Sequence, residues 1–432
     1  MTITVIGAGY VGLVTATLLA NAKHTVYCVE TNYGKYSKLS CGICYFHEKD
    51  LQEELTTAIN NERIHFLQSS REAVAASEVV FLCLPTPSSP HMIADISALC
   101  TVLDEIIPHM RPNTVLILKS TVPVGTSLRI KELLEKKAKH VVHLVMNPEF
   151  LRQGNAVYDF KNPFLVVVGG DQQVAPIMEK IYANVVEAPY LYVSISDAEM
   201  IKYASNLFLA SRISLINELA QLCEKTGANI LNVQKALGYD PNIGKHYLSA
   251  GIGYGGSCFT KDLEALIRMG QAANIHMPLI EAVQSVNNRQ KYMLVEKVTR
   301  RFGKNLSGRR FAIWGLTFKP ETSDMRGAPS IDIINNLIML GAYIVAYDPS
   351  QAYIKENPGT LFPVQYAENP YEALTEADAL LLLTEWNVFK EIDYERCLKE
   401  MKNPVIYDGR NVLDRDAASK AGIELIQIGV PE

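Results

Sequence analysis

Residues 2–30, TITVIGAGYVGLVTATLLANAKHTVYCVE, decide the fold of this chain. The apolar run Thr2–Ile6 is typical of a buried strand, residues 13–21 have the pattern of a helix, and Thr25–Val29 is typical of a second strand. Three glycines at the spacing GxGxxG separate the first strand from the helix: Gly7, Gly9 and Gly12. This order predicts a dinucleotide-binding α/β unit, because the glycines let a pyrophosphate approach the helix N-terminus.

Glu30 follows the second strand, where the ribose of a dinucleotide arrives in such units. Its carboxylate can accept hydrogen bonds from a ribose 2'-hydroxyl and would repel a 2'-phosphate. The stretch therefore predicts NAD as the cofactor in preference to NADP. A glycine turn that binds no ligand is the alternative interpretation.

Two further strands of this unit, at residues 79–84 and 115–119, each end in a polar turn that contains a threonine. In open α/β sheets, ligands lie at the carboxyl ends of the strands. Thr86 and Thr121 are therefore predicted either to face the cofactor or to be ordinary turn residues. Another strand, at 143–146, continues the same unit.

The C-terminal part of the chain repeats the N-terminal pattern. Residues 310–315 resemble the first strand and its turn, and residues 342–347 end at Asp348 much as the second strand ends at Glu30. The repeat lacks the full glycine spacing, so it is not expected to bind a second dinucleotide. Three of its basic side chains suit phosphates, or are ordinary surface charges: Lys319, Arg326 and Arg410.

The predicted fold class is α/β, with two Rossmann-like doubly wound domains joined by a central helical region that contains one long helix. A chain of 432 residues is long enough for two or three domains. The expected boundaries are an NAD-binding domain at 1–195, a helical dimerisation domain at 196–300 and a C-terminal domain at 301–432.

The long helix of the middle region is predicted to begin at a capping box, Ser196-x-x-Glu199, and to run through Glu224. Lys202 and Asn206 are four residues apart and share one face of this otherwise apolar helix. The pair either reaches solvent or meets a polar ligand. The long apolar face favours self-association of the chain.

The run from Gly251 to Asp262, GIGYGGSCFTKD, presents one thiol, Cys258, beside a lysine and a carboxylate. If a helix begins near Cys258, its dipole and Lys261 favour the thiolate, which is the reactive form of cysteine. Asp262 shares the same helical face. The alternative is a glycine loop with a buried, inert cysteine.

Composition excludes several classes of partner. A net charge of −5 and a pI near 6.0 argue against nucleic acid and against anionic membranes. The eight cysteines are scattered, which favours a reducing cytoplasm. Cys41 and Cys44 form a lone CxxC with no second pair, so no metal site is predicted.

Over essentially its whole length the chain resembles the nucleotide-sugar 6-dehydrogenases, the UDP-glucose/GDP-mannose dehydrogenase family. The motifs that carry the resemblance are GAGYVG at 7–12, KSTVP at 119–123, NPEFL at 147–151, Lys202 with Asn206, GGSCFxKD at 255–262 and FKP at 318–320.

The resemblance implies three sets of residues. The cofactor NAD would be bound by Gly7, Gly9, Val11, Gly12, Glu30, Lys35, Thr86, Thr121, Glu149, Lys261 and Arg326. The UDP-sugar would be bound by Glu149, Phe150, Leu151, Lys202, Asn206, Tyr247, Gly251, Gly255, Phe318, Lys319 and Arg410. The catalytic residues would be Cys258, Lys202, Asn206, Asp262, Glu149 and Thr121.

The chemistry that the resemblance implies is a four-electron oxidation of UDP-glucose to UDP-glucuronate. The aldehyde from the first oxidation would be captured by Cys258 as a thiohemiacetal, and the second oxidation would leave a thioester that water hydrolyses. Lys202, helped by Asn206, would stabilise the developing oxyanion, while Asp262 and Glu149 would handle water and protons.

Two positions depart from the family pattern. Gln153 stands where the family usually has glutamate, and Asn242 stands where it has an arginine that reaches the sugar across a subunit interface. These departures keep other hexoses open, namely a UDP-N-acetylhexosamine or GDP-mannose. A nucleotide-sugar-binding protein without turnover is the alternative from a different class.

Overall fold

A computed structural model of the chain describes residues 1–87, 94–356 and 363–431. It divides into two compact units. The first unit comprises Met1–Ser205 with Glu264–Ile275, and the second comprises Asn206–Leu263 with His276–Glu432.

The first unit contains an eight-stranded sheet in the order β3-β2-β1-β4-β5-β6-β7-β8. Its strands are β1 (Thr2–Ile6), β2 (Thr25–Val29), β3 (Ile64–Leu67), β4 (Val79–Leu82), β5 (Thr114–Leu118), β6 (Val142–Met146), β7 (Val166–Gly170) and β8 (Tyr190–Val193). All paired strands are parallel except β6 with β7. Strands β4 and β5 are buried along their whole length, which explains why their sequences are continuously apolar rather than alternating.

The helices of the first unit cover both faces of this sheet. They are α1 (Tyr10–Asn21), α2 (Tyr33–Ser40), α3 (Leu51–Asn60), α4 (Ser70–Ala76), α5 (Ser97–Ile106), α6 (Thr126–Lys137), α7 (Ala156–Lys161) and α8 (Ala175–Tyr182), with short 3-10 helices at Ile107–His109 and Gln172–Val174. Two apolar clusters result. One joins Leu13 and Leu18 of α1 to β1, and the other joins Leu99 and Leu103 of α5 to β4.

The second unit contains a six-stranded parallel sheet in the order β11-β10-β9-β12-β13-β14. Its strands are β9 (Arg310–Trp314), β10 (Tyr343–Tyr347), β11 (Gln365–Tyr366), β12 (Ala379–Leu382), β13 (Val405–Asp408) and β14 (Glu424–Gln427). This order reproduces that of β1 to β6 in the first unit. The internal repeat predicted from the sequence is therefore confirmed.

Four helices lie between the two sheets in the chain: α9 (Ile195–Thr226), α10 (Ile230–Tyr239), α11 (Phe259–Ala272) and α12 (Pro278–Phe302). The later helices are α13 (Pro329–Met339), α14 (Gln351–Lys355), α15 (Pro370–Ala373), α16 (Asn387–Lys390), α17 (Tyr394–Glu400) and α18 (Arg415–Lys420). Helix α9 has 32 residues and begins in the first unit and ends in the second. The predicted fold class, two α/β sheets with a helical region and one long helix between them, is confirmed.

The predicted cap of α9 is wrong. The helix begins at Ile195, and Ser194 caps it: the backbone N–H of Asp197 donates to Ser194 Oγ at 3.1 Å. Ser194 Oγ in turn donates to the Asp197 carboxylate at 2.7 Å. Ser196 lies inside the helix, and Glu199 is left with another role.

Within residues 1–87, 94–356 and 363–431, no helix combines the length and hydropathy that crossing a bilayer requires. The same residues contain no cluster of three or more histidine, cysteine or acidic side chains suited to a metal ion.

Candidate active site

The glycine turn of the first unit lies between β1 and α1. A Cβ added at Gly12 would lie 1.8 Å from the Gly7 carbonyl oxygen, so the turn can be this tight only with glycine. A Cβ added at Gly9, the N-cap of α1, would meet no atom within 4 Å. The turn is therefore tightly packed at Gly12 and open at Gly9, which fits the approach of a cofactor pyrophosphate to the helix N-terminus.

Other residues predicted to bind the cofactor lie at the same carboxyl edge of the sheet. Glu30 follows β2, and its Oε1 accepts a hydrogen bond from the Asn32 N–H at 2.8 Å. Thr86 Oγ1 donates to the Thr121 carbonyl oxygen at 2.8 Å, which ties together the turns that follow β4 and β5. Lys35 of α2 places its Nζ 5.0 Å from the centre of the Tyr45 ring. Val11, another member of the set, lies in the first turn of α1.

Lys202 and Glu149 form a buried ion pair in the first unit. Lys202 Nζ lies 3.0 Å from Glu149 Oε1, and the two side chains are 4% and 8% exposed. Glu149 Oε2 also accepts the N–H of Leu151 at 2.6 Å, and Lys202 Nζ lies 5.4 Å from the centre of the Phe150 ring. An ammonium and a carboxylate are groups that can stabilise charge on oxygen and transfer protons, respectively.

A second buried lysine, Lys119, lies at the end of β5. Its Nζ donates to Asn147 Oδ1 at 3.0 Å, and that oxygen also accepts from the Tyr182 hydroxyl at 2.6 Å. Burial lowers the pKa of Lys119 to about 8, with Cys83 and Glu149 partly opposing the shift. Lys119 belongs to the KSTVP motif, but sequence analysis assigned it no role because spacing alone does not reveal burial.

This shift predicts a pH-dependent stability. Because the native pKa of Lys119 lies below its ordinary value of 10.5, the unfolded chain binds more protons between pH 8 and pH 10.5. The contribution of Lys119 to the free energy of unfolding should therefore rise across that window, by about 3 kcal/mol. The melting temperature of the wild type minus that of Lys119→Met should therefore become larger from pH 8 to pH 10.5.

The control for this prediction is Lys136→Met, at an exposed position of α6. Its melting temperature should keep a constant offset from the wild type over the same pH range. A constant offset for Lys119→Met as well would mean that Lys119 titrates at its ordinary pKa.

In the second unit, the candidate nucleophile stands at the start of α11. Cys258 is exposed, and its carbonyl oxygen accepts the Asp262 N–H at 2.9 Å, which makes Cys258 the residue that precedes the first turn. The helix thus begins where the sequence predicted. Asp262 is buried, accepts from Asn206 Nδ2 at 2.6 Å, and pairs with Lys261 Nζ at 2.8 Å. All eight cysteines are thiols with no disulfide.

The glycine run before Cys258 packs closely inside the second unit. A Cβ added at Gly255 would lie 2.5 Å from the Gly327 carbonyl oxygen and 2.9 Å from Phe318 Cβ, so no larger residue fits there. Arg410 holds the same run: its Nη1 donates to the Gly253 carbonyl oxygen at 2.9 Å, and its Nε donates to the Leu383 carbonyl oxygen at 2.8 Å.

Other predicted residues of the second unit lie on or beside this run. Gly251 donates its N–H to Asn217 Oδ1 at 2.8 Å. Tyr247 has a left-handed backbone with a φ of 60°. Lys319 accepts at its carbonyl oxygen from Thr317 Oγ1 at 2.9 Å, and Arg326 pairs with Asp324 at 2.6 Å.

The turn after β9 differs from the glycine turn of the first unit. Asp348 Oδ2 accepts the backbone N–H of Leu316 at 2.7 Å and that of Thr317 at 3.3 Å. A protein carboxylate thus takes donors that a pyrophosphate would need. That the second α/β repeat does not bind a dinucleotide stays a prediction.

The two departures from the family pattern lie in different units. Gln153 is half-buried and precedes Gly154, whose N–H donates to the buried carboxylate of Glu48 at 2.7 Å. Asn242 is exposed, and its amide donates to Asp240 Oδ1 at 2.9 Å. The effect of either residue on sugar choice stays a prediction.

Family models match most of the chain. The NAD binding domain of the UDP-glucose/GDP-mannose dehydrogenase family matches residues 1–186, its central domain matches 196–289, and its UDP binding domain matches 312–415. These segments contain the glycine turn, the cysteine run and all the predicted site residues.

Full-length relatives agree with these models. The chain is 40% identical to UDP-glucose 6-dehydrogenase of Rhizobium meliloti, covering 100% of both chains, and 39% identical to that of Bacillus subtilis, covering 99% and 98%. Among solved structures it is similar to a UDP-glucose dehydrogenase from Pyrobaculum islandicum, with a TM-score of 0.90 and 33% identity over 99% and 97% of the two chains. The chain therefore belongs to the UDP-glucose/GDP-mannose dehydrogenase family.

Proposed function

We propose that the chain is an NAD-dependent UDP-glucose 6-dehydrogenase that oxidises UDP-glucose to UDP-glucuronate. The observation that carries the proposal is the full-length identity of 40% to UDP-glucose 6-dehydrogenase of Rhizobium meliloti. The exposed Cys258 at the start of α11 and the buried pair of Lys202 with Glu149 are groups that such a reaction requires.

The first oxidation converts the primary alcohol at C6 to an aldehyde. Glu149 accepts the hydroxyl proton, directly or through water, and the ammonium of Lys202 stabilises the negative charge that develops on the oxygen. Thr86 and Thr121, in the turns that follow two neighbouring strands of the sheet, would contact the cofactor. NAD would be held by the glycine turn and Glu30, and it would supply the electron acceptor for this oxidation and for the next.

The second oxidation takes place on Cys258. Its sulfur adds to the aldehyde carbon, and the aldehyde oxygen takes a proton to give a thiohemiacetal. Loss of a hydride from that carbon, for which NAD would be the acceptor, and of the proton from its hydroxyl oxygen leaves a thioester. Water, deprotonated with the help of Asp262, adds to the thioester, and the carbon–sulfur bond breaks to release the acid and the thiol. Two NAD are reduced for each acid formed.

The sugar nucleotide is proposed to be bound by the glycine run of the second unit together with Lys319 and Arg410. The supporting observations are the tight packing of Gly255 and the hydrogen bond from Arg410 to the Gly253 carbonyl oxygen, which pre-organise the run. A run held by protein contacts needs little ordering when a ligand binds, which favours affinity.

The test is NADH formation with a panel of UDP-glucose, UDP-N-acetylglucosamine, UDP-galactose and GDP-mannose. The proposal expects the highest kcat/KM with UDP-glucose and two NADH for each acid. A higher kcat/KM with another sugar nucleotide would assign the chain a different hexose within the family. Binding of UDP-glucose without NADH formation would identify a non-catalytic binding protein.

Cofactor choice is expected to depend on Glu30. The wild type should prefer NAD to NADP, because Glu30 can bind the ribose hydroxyl and repels a 2'-phosphate. Glu30→Ala should lower the ratio of kcat/KM with NAD to kcat/KM with NADP roughly ten- to a hundredfold. That factor corresponds to the loss of one charge-assisted hydrogen bond. Glu53→Ala, at an exposed position of α3, is the matched control and should leave the ratio unchanged. Equal kcat/KM for NAD and NADP in the wild type would contradict the assignment.

A homodimer is proposed to form through α9. Three large apolar side chains of this helix are exposed at seven-residue spacing, which places them on one face: Phe208 (73%), Leu215 (60%) and Leu222 (59%). Contiguous exposed apolar side chains of this size mark interaction surfaces.

Substitution of the central residue tests the dimer. Leu215→Glu should shift the molar mass, measured by light scattering after size exclusion, from dimer to monomer. Leu398→Glu, at an exposed position of α17, is the matched control and should leave the mass unchanged. A monomeric wild type, or a dimer that survives Leu215→Glu, would refute an α9 interface.

Two further assignments follow the same function. The chain is proposed to consist of an NAD-binding domain, a helical dimerisation domain and a UDP-sugar-binding domain with boundaries near residues 195 and 300. It is proposed to act in a reducing cytoplasm, which its eight thiols favour.

A further inference from the structure

Glu199 is a fully buried carboxylate of α9 that the mechanism above does not use. It belongs to the first unit and lies three residues before Lys202 in the helix. The sequence pattern predicted that it caps α9, but in the structure that cap involves Ser194 and Asp197. A buried carboxylate is costly unless its oxygens accept hydrogen bonds, so its partners indicate its role.

The carboxylate of Glu199 accepts three hydrogen bonds from the start of α6. Oε2 accepts the Gly125 N–H at 2.7 Å, while Oε1 accepts the Ser127 N–H at 2.8 Å and the Ser127 hydroxyl at 2.6 Å. Gly125 is the N-cap of α6 and has no side chain to cap the helix. Glu199 therefore supplies from α9 the cap that α6 lacks, at the end of the helix where the dipole favours an anion.

The segment that ends at this cap is the turn after β5, residues 119–125, which contains Thr121. Thr86 holds the Thr121 carbonyl oxygen at 2.8 Å, and Ser120 Oγ donates to the Leu84 carbonyl oxygen at 2.7 Å. Those contacts fix the beginning of the segment to the turn after β4. The contact from Glu199 fixes its end to the helix that carries Lys202.

We propose that Glu199 is a positioning residue that holds the turn bearing Thr121 and the helix bearing Lys202 in one arrangement for the cofactor. The inference rests on the proposed function for its catalytic part, since Thr121 and Lys202 act on cofactor and substrate there. Its binding part concerns NAD alone. Small displacements of such groups lower rates strongly, about a hundredfold for 1 Å.

The decisive variants are Glu199→Gln and Glu199→Ala. Glutamine can keep one acceptor oxygen toward Ser127 but turns an amide donor toward the Gly125 N–H, whereas alanine removes all three bonds. We expect the Kd for NAD, measured by calorimetry, to rise roughly tenfold in Glu199→Gln, and kcat to fall by a similar factor. The Kd for UDP, which is proposed to bind the second unit, should stay within twofold. Glu199→Ala should show larger losses in both quantities.

Ser77→Ala is the control for a merely structural role. Its hydroxyl is buried in the same unit, bonded to Thr4 at 2.7 Å and to the Ala73 carbonyl oxygen at 2.8 Å, beside the opposite end of the sheet. It should lower the melting temperature while leaving the Kd for NAD and kcat unchanged. Lower melting temperatures with unchanged NAD affinity and kcat in both Glu199 variants would overturn the proposal.

The proposal can still be tested if Glu199→Ala is unfolded or if the wild type lacks the proposed activity. If Glu199→Ala does not fold, Glu199→Gln decides, and an unchanged Kd for NAD in it refutes the inference. If the wild type does not oxidise UDP-glucose, the proposed function fails, while the NAD titrations of wild type and Glu199→Gln still decide the role of Glu199.

Discussion

Replacement of Cys258 by serine is expected to abolish release of the sugar acid while leaving binding of the sugar nucleotide intact. Steady-state NADH formation should fall on the order of a thousandfold or more, as expected for loss of a covalent nucleophile. The physical reason is that serine is well tolerated at the residue that precedes a helix, but an oxygen ester is a poorer intermediate than a thioester. The measurements are NADH formation, acid release and the Kd for UDP.

The matched control is Cys100→Ser, which replaces another exposed thiol, in α5. It should keep wild-type kcat, because Cys100 is no part of the cysteine run. Full turnover in Cys258→Ser would refute the assignment of the nucleophile. Release of free aldehyde by the wild type, with one NADH for each product, would refute covalent capture.

Removal of the Lys202 ammonium is the second large effect. We expect Lys202→Met to lower kcat by about 10²- to 10³-fold, the usual loss when a group that stabilises an oxyanion is removed. It should also destabilise the first unit by about 3–5 kcal/mol, because Glu149 is left buried without its charged partner. Activity and stability would therefore fall together in the single variant.

A double variant separates the two effects. Lys202→Met with Glu149→Gln removes both buried charges, so the melting temperature should recover toward the wild-type value while kcat stays low. Lys137→Met breaks an exposed pair with Asp104, at 2.8 Å, and should change neither quantity. Recovery of kcat together with the melting temperature would show that neither Lys202 nor Glu149 takes part in the chemistry.

Much of the architecture could be predicted because its signals are local. The glycine spacing after β1, the continuously apolar strands and the acidic residue after β2 are each readable within a few residues, and the same pattern recurs after residue 309. Strand limits were within two residues where strands were predicted, since burial on both faces leaves a distinct apolar run. Strands β8 and β11 were not predicted: β8 is half-exposed along its length, and β11 has only two residues.

The placement of Cys258 was also a local matter. Glycines bend the backbone, a helix follows at Phe259, and so the exposed thiol at the helix start could be expected from the residues of one loop. The hydrogen-bond partners of the residues near Cys258 could not be predicted from the same loop. Asn206 and Asp262 are 56 residues apart in the chain, and only the fold brings their side chains to 2.6 Å.

Sequence by itself determined the two α/β repeats, the cofactor turn and the displayed thiol, because each depends on periodicity or backbone freedom within a short segment. Tertiary structure alone decided which partners the charged side chains contact. The stretch Ser194-Ile195-Ser196-Asp197-Ala198-Glu199 contains two capping boxes of equal quality, and sequence offers no reason to prefer either. The choice depends on the start of α6, more than 70 residues away, whose unpaired N–H groups take the carboxylate of Glu199 and leave the cap of α9 to Ser194 and Asp197.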